Sequence, residues 1–230
     1  LGLFCGTKFV NAPFTTTAGG TTSADFTGDP TDPSGSEAEV FYAYYPYSAH
    51  AVLEGSVVSG LSIPAVQTFA TKSFATELCP MATSGADYSR LAFRTIGTVL
   101  KFQVTGQKNV TKIELTGNNG EALAGDYTID FVGETPEMKF SGTETTLTLT
   151  CSEPVALNDA SATEFYFVLP AGVEFTKGIT VKVYTDDNAE PMVKEYASPL
   201  TTRPNKLVTV KAFTYSVPVT SIEEANEALS

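Results

Sequence analysis

Beyond position 90 the chain keeps one rhythm, and that rhythm fixes its fold class. "RLAFRTIGTVLKFQVTG", "VTKIELTG", "GDYTIDFV", "EMKFSG", "TTLTLTCS", "TEFYFVLPAG", "GITVKVYTDDNAEP", "VKEYASPLT" and "KLVTVKAFTYSV" follow one another at roughly 8–15-residue intervals. Each is rich in Val, Ile, Thr, Phe or Tyr, and Gly, Pro, Asn or Asp stand between them. Apolar and polar residues alternate with a period of two, so each segment presents one face to a core and one to water. In "VTKIELTG", Val110, Lys112 and Glu114 alternate with Thr111, Ile113 and Leu115. A turn is expected at Gly117-Asn118-Asn119-Gly120 and a hairpin around Asp186-Asp187-Asn188. The cadence is that of an all-β sandwich.

The first ninety residues are less regular. Leu1 to Val10 reads as a short apolar strand, broken by Asn11-Ala12-Pro13. Residues 14–39 are rich in Thr, Gly, Asp, Ser and Pro, with a strand turn expected at Ala18–Thr21 and a long loop after Phe26. Then comes "FYAYYPY", residues 41–47, in which five of seven residues are aromatic. As a strand it places Phe41, Ala43, Tyr45 and Tyr47 on one face and Tyr42, Tyr44 and Pro46 on the other. Rings on both faces imply packing on both sides. Two short apolar runs follow within residues 52–67, then an irregular stretch with one helical turn expected near Phe74–Leu78. "SGAD" at 84–87 reads as a linker. The expected organisation is two tandem β-sandwich domains, residues 1–87 and 88–217, and a tail, residues 218–230. In the tail Ser221 and Glu224 form a capping box, and Ile222, Ala225 and Leu229 share a helical face.

Composition narrows the function. A formal net charge of -12 repels phosphate backbones, which argues against nucleic acid, and against binding anionic membrane surfaces through a basic patch. No stretch is long and apolar enough to span a bilayer. Cys5, Cys79 and Cys151 match no zinc or redox spacing. They read as small buried hydrophobes, with a bridge between Cys5 and Cys79 left open. His50 is the single histidine, so any Ser–His–Asp or Cys–His site would need it. No nucleophile elbow or His-Glu-x-x-His motif accompanies it. Asp29, Asp32 and Glu37 in one loop, and Asp186 and Asp187 in another, offer oxygens to calcium but lack the EF-hand pattern. No cofactor, metal or catalytic residue is therefore assigned. Tyr42 and Tyr44 are the candidate surface-contact residues, since a tyrosine ring combines a flat apolar face with a polar tip.

The order of segments resembles the fimbrillin-like proteins of Bacteroidetes, the Mfa-like branch of the major fimbrial subunit superfamily. The resemblance is carried by "LGLFCG", "VFYAYYPYS", the Ile-Pro-x-x-Gln element in "LSIPAVQTF", "LCPMAT", "LAFRTIGTVLKFQVTG", "VTKIELTGNNGEALAGDYTIDF", "TEFYFVLPAG" and "PLTTRPNKLVTV". It extends to about Tyr215. It implies two transthyretin-like β-sandwiches and export as a lipoprotein to the outer surface of a Gram-negative bacterium. The family's subunits build pili that mediate adhesion. The family's leader, lipidated cysteine and first strand have no counterpart before Leu1, and Cys5 does not follow a signal-type apolar region. The opening "LGLFC" reads as the middle of a strand, as if processing or truncation had removed what precedes it. The close, "SIEEANEALS", does not read as a polymerising strand and favours a tip or accessory place over a stalk.

In such subunits an incomplete sheet is completed by a strand from a neighbour. The resemblance thus implies other pilin subunits as partners, by donor-strand exchange, with a host or bacterial surface protein or glycan as receptor. Membrane association would come only through a lipid anchor absent from this chain. An acceptor groove is expected beside Leu3, Phe4 and the aromatic strand. The alternative reading is a surface carbohydrate-binding module of a glycan-uptake system, acting through Tyr42 or Tyr44.

Overall fold

The alternating segments form strands throughout the computed structural model, which describes residues 1–18 and 23–217. In chain order the first ten are β1 Gly2–Cys5, β2 Phe9–Pro13, β3 Phe41–Tyr45, β4 Val52–Glu54, β5 Val57–Ile63, β6 Val66–Ala70, β7 Ser73–Phe74, β8 Met81–Gly85, β9 Arg94–Thr95 and β10 Thr98–Thr105. Then follow β11 Asn109–Gly117, β12 Gly125–Asp130, β13 Glu137–Phe140, β14 Thr146–Ala156, β15 Thr163–Leu169, β16 Glu174–Phe175, β17 Ile179–Thr185, β18 Asn188–Tyr196, β19 Leu200–Thr201, β20 Lys206–Thr209 and β21 Phe213–Thr214. One 3-10 turn, Tyr88–Arg90, interrupts them. The chain is all-β, in several open sheets with no closed barrel among the described residues.

The sheets have the orders β2-β1-β3-β8-β9, β18-β17-β11-β14-β6-β7, β13-β12-β5-β4 and β15-β10-β20, with β21 continuing beside β10 and β16 pairing β19. Sheet pairing crosses the boundary expected at residue 87. β5 is antiparallel to β12, and β6 is parallel to β14. Ser84 and Gly85, expected in a linker, close β8. The helical turn expected near Phe74–Leu78 is not formed: Phe74 ends β7, and a tight turn follows, held by the Leu78 N–H on the Ala75 carbonyl at 3.1 Å. The 117–120 turn and the hairpin at 186–187 stand where expected, the latter with Thr185 paired to Asn188. The expected turn at Ala18–Thr21 extends beyond the described residues, and the 218–230 tail lies wholly outside them.

The main core gathers the inner faces of several sheets. Leu100, Phe102 and Val104 of β10 meet Phe165, Phe167 and Leu169 of β15, together with Ile113, Leu147, Val181, Ile129 and Leu61. Each such side chain contributes about 1.5–3 kcal/mol relative to exposure. In β11 strict alternation fails. A register shift between Val110 and Lys112 lets Val110 be buried along with Ile113 and Leu115, although Val110 and Ile113 are an odd number of residues apart. β5 does the same opposite β12, where Leu61 pairs Tyr127 and Val58 pairs Ile129.

The first sheet is buried on both sides. Phe4, Tyr44 and Ala82 face the main core. Leu3, Cys5, Phe41 and Ala43 face a second cluster with Phe9, Ala12 and Phe14. This is why β3 carries rings on both faces: it lies between two cores.

Candidate assembly edge and surface cleft

The two tyrosines singled out in β3 have different fates. Tyr44 is fully buried and is not a surface residue. Its ring stacks on Phe4 with centroids 6.1 Å apart. Its hydroxyl lies 2.6 Å from Asn11 Oδ1 and 3.0 Å from the Ser48 carbonyl, both acceptors, and itself accepts the Ser48 N–H at 3.2 Å. Burial pushes its pKa up to about 12. Tyr44 is thus a structural strut, and the surface role expected of it is excluded by its position. Tyr42, one pleat away, is half-buried. Its ring rests on Phe131 at 5.0 Å.

Tyr42 lines an open cleft of about 410 Å³ with Cys5, Glu39, Val40, Leu53 and Gly55. The thiol of Cys5, one of the lining residues, is engaged on both sides: it donates to the Ala38 carbonyl and accepts the Ala38 N–H, both at 3.2 Å. Burial raises its pKa, so it is a locked packing group rather than a nucleophile. All three cysteines are free thiols, which removes the Cys5–Cys79 bridge left open by the sequence. Cys5 and Cys79 are buried, but Cys151 is only partly so, short of the full burial expected of it.

The other expected residues do not converge. His50 is exposed and is not among the residues lining the cleft. Asp32 accepts the Ser34 N–H at 2.9 Å and the Ser34 hydroxyl at 2.7 Å, which hold its carboxyl below the usual range. Glu37 pairs with Lys8 at 2.6 Å, Asp187 pairs with Lys108, and Asp186 accepts from Asn109 at 2.9 Å. These acidic loops are therefore engaged in local turns and surface pairs. Among the described residues no three His, Cys, Asp or Glu side chains are placed to hold a metal.

The groove expected beside Leu3 and Phe4 is closed. β1 pairs with β2 on one side and β3 on the other. The outer margin of β2 is sealed in turn. The Thr31 hydroxyl accepts the Val10 N–H and donates to the Val10 carbonyl, both at 3.1 Å, and Thr15 and Thr27 exchange backbone bonds at 2.9 and 2.8 Å. No alternation in the sequence could have revealed this, because the sealing residues lie in the 14–39 loop.

Other margins carry their own guards. β18 contains Pro191, which has no N–H, and Lys194 sits opposite the buried Val181, so it points toward the core face. β13 alternates Glu137 and Lys139, paired at 2.7 Å, and β4 is three residues long. β20 differs. It runs parallel to β10 with Thr98 through Lys101 matched to Lys206 through Thr209, and no strand of the described residues lies beyond it. Leu207 is 57% exposed there. The run "KLVTV" has one charge, at its start, and no proline. The proline of β18, which β20 lacks, was the available sequence signal for this edge, since Lys206 of β20 also stands opposite a buried residue, Thr98.

This fold is shared with a solved bacterial protein. A "putative cell adhesion protein" from Bacteroides uniformis aligns with 89% of this chain and 80% of its own, at 13% identity and a TM-score of 0.51. A second protein of that description, from Bacteroides fragilis, aligns with 93% of this chain and 75% of its own at 11% identity and a TM-score of 0.43. No protein-family model matches the sequence, and no curated protein does.

Proposed function

We propose that this chain is a non-enzymatic, adhesin-like protein of a Gram-negative cell surface, a pilus subunit that joins its neighbours by β-strand addition. On this reading its sheets form two transthyretin-like sandwiches, and it is held at the outer membrane through a lipid anchor. The observation that carries the reading is the likeness in fold, over 89% of the chain, to a protein itself named for cell adhesion.

The β20 margin supplies the physical means. An edge strand leaves a row of outward N–H and C=O groups, and an added strand engages them all at once. With β2 sealed and β18 guarded, β20 is the margin where this costs least. The incoming partner is an extended, β-branched segment of another subunit. The expected acceptor site therefore moves from Leu3 and Phe4 to Leu207 and its neighbours.

The test uses a synthetic peptide of residues 206–217, "KLVTVKAFTYSV", added to the full chain. Strand capture raises Tm by about 2–4 °C for each kcal/mol of binding and slows amide exchange across Lys206–Thr209. Unchanged Tm and unchanged exchange in β20, with peptides of this and other strand sequences, overturn the proposal.

A further inference from the structure

We infer that the cleft at Tyr42 is a binding site for a neutral, hydroxyl-rich saccharide. Four features of the cleft converge on that ligand class.

The first is a fixed aromatic wall. The Tyr42 ring rests against Phe131, with centroids 5.0 Å apart and planes tilted by 60°, while Tyr42 stays half-exposed. No hydrogen bond from another described residue reaches the Tyr42 hydroxyl, and that atom is not among the buried polar atoms lacking a partner, so it opens to solvent. A ring fixed before the ligand arrives loses little entropy on binding. Its flat apolar face suits the C–H face of a pyranose, and its hydroxyl suits a ring substituent.

The second is a pair of unengaged peptide groups. Glu39 and Val40 lead into β3 outside any ladder, next to Ala38, whose backbone is held by the Cys5 thiol, and no hydrogen bond from another described residue reaches the peptide groups of Glu39 or Val40. A saccharide, which both donates and accepts around its rim, can use such groups where an apolar ligand cannot.

Charge is the third. Glu39 is exposed and forms no ion pair with another described residue, in contrast to its neighbour Glu37, which is held by Lys8. A free carboxylate accepts hydroxyl hydrogens strongly. With a chain charge of -12 around it, the same carboxylate rejects sialylated, sulfated or phosphorylated ligands.

Space is the fourth. About 410 Å³ falls within the range of small-ligand sites, and Gly55, a lining residue with φ at +62°, has nothing within 4 Å of where a side chain would begin. Leu53 adds an apolar residue to the lining.

The site is independent of the β20 margin, so either can fail alone. The test is a glycan array carrying neutral and acidic oligosaccharides, followed by saturation-transfer NMR of the hits with wild type, Glu39→Gln and Tyr42→Phe. Both substitutions keep the shape of the fold, and an unchanged Tm confirms that for each. The expected result is binding to neutral glycans, none to their sialylated counterparts, and a loss of affinity of about fivefold to tenfold in each variant, the size of one hydrogen bond. Absence of any neutral-glycan binding overturns the inference, as does binding that neither variant weakens. Protection of residues 38–40 by the 206–217 peptide, with no glycan bound, would also overturn it and assign the cleft to a peptide instead.

Discussion

The carboxamide of Gln67 clasps both backbone groups of Val168: its Nε2 donates to the carbonyl at 2.7 Å, and its Oε1 accepts the N–H at 2.9 Å. Gln67 is 1% exposed and Val168 fully buried, so neither group has water to fall back on. The clasp closes the free margin of β15 and ties it to β6 across 101 residues of sequence. Gln67→Leu fills similar volume but leaves two buried backbone groups unpaired. The expected loss is about 2–4 kcal/mol of unfolding free energy, read as a lower urea midpoint at unchanged slope. A loss below about 1 kcal/mol would mean that the margin finds other partners.

That clasp also marks what the sequence can and cannot reveal. The Ile-Pro-x-x-Gln element singles out Gln67, but nothing in a linear pattern says that its partner is Val168. β17 is legible because alternation and burial agree in it residue by residue, whereas β10 and β15 alternate only over Leu100–Thr105 and Glu164–Phe167. β11 is legible as a strand but not in phase, and β5 only as parts of two apolar runs, since each shifts register within its length. The candidate sites were harder. Tyr42 and Tyr44 share a pleat face, and a period of two groups them, yet only the packing of Phe4 and the bonds to Asn11 and Ser48 separate a buried strut from a cleft wall. The sealing of β2 by Thr31 and the parallel alignment of β20 on β10 are long-range facts with no local signature.

Gly60 explains how β5 changes phase. Its φ is +76°, and a Cβ there would lie 2.0 Å from the His50 carbonyl oxygen. The left-handed backbone and the contact act together, and the obstacle is main chain, which cannot swing aside. Gly60→Ala is therefore expected to cost about 2–4 kcal/mol, from backbone strain plus overpacking. Gly55→Ala shares the positive φ but meets nothing within 4 Å, so about 1–2 kcal/mol is expected. Chemical denaturation of the pair separates the two contributions. Equal losses would show that the His50 contact yields.

The thiols should be silent in the folded protein. Cys5 and Cys79 are 1% and 5% exposed, and burial pushes the Cys151 pKa up to about 11. At pH 8 such a thiol is only about 0.1% thiolate, the form that reacts. Titration with an aromatic disulfide reagent should give no fast phase in the native state, and one equivalent for each of the three free cysteines after unfolding. A full equivalent released within minutes from the native protein would contradict this placement.

Alkaline pH tests the Tyr44 strut. Its pKa is raised, chiefly by burial, from the ordinary 10.0 to about 12, and Tyr166 and Tyr184 are raised to about 12 as well. For Tyr166 and Tyr184 burial is again the first cause, followed by hydroxyls that donate to Glu164 at 2.6 Å and Glu114 at 2.8 Å. A pKa higher in the folded state than in the unfolded chain means the unfolded chain loses its proton first. The stability tied to these groups is therefore complete below about pH 10 and is lost as pH rises toward 12. Phenolate absorbance should lag behind that of the unfolded chain over this window, and the urea midpoint should fall across it. Tyr44→Phe removes one titrating group and one buried set of bonds. It should cost about 1–3 kcal/mol at neutral pH, because Asn11 Oδ1 and the Ser48 N–H lose their partner while the Ser48 carbonyl keeps Asn11 Nδ2, and should make the fall between pH 10 and 12 shallower than in wild type. An unchanged alkaline slope in that variant would place the titrating tyrosines elsewhere.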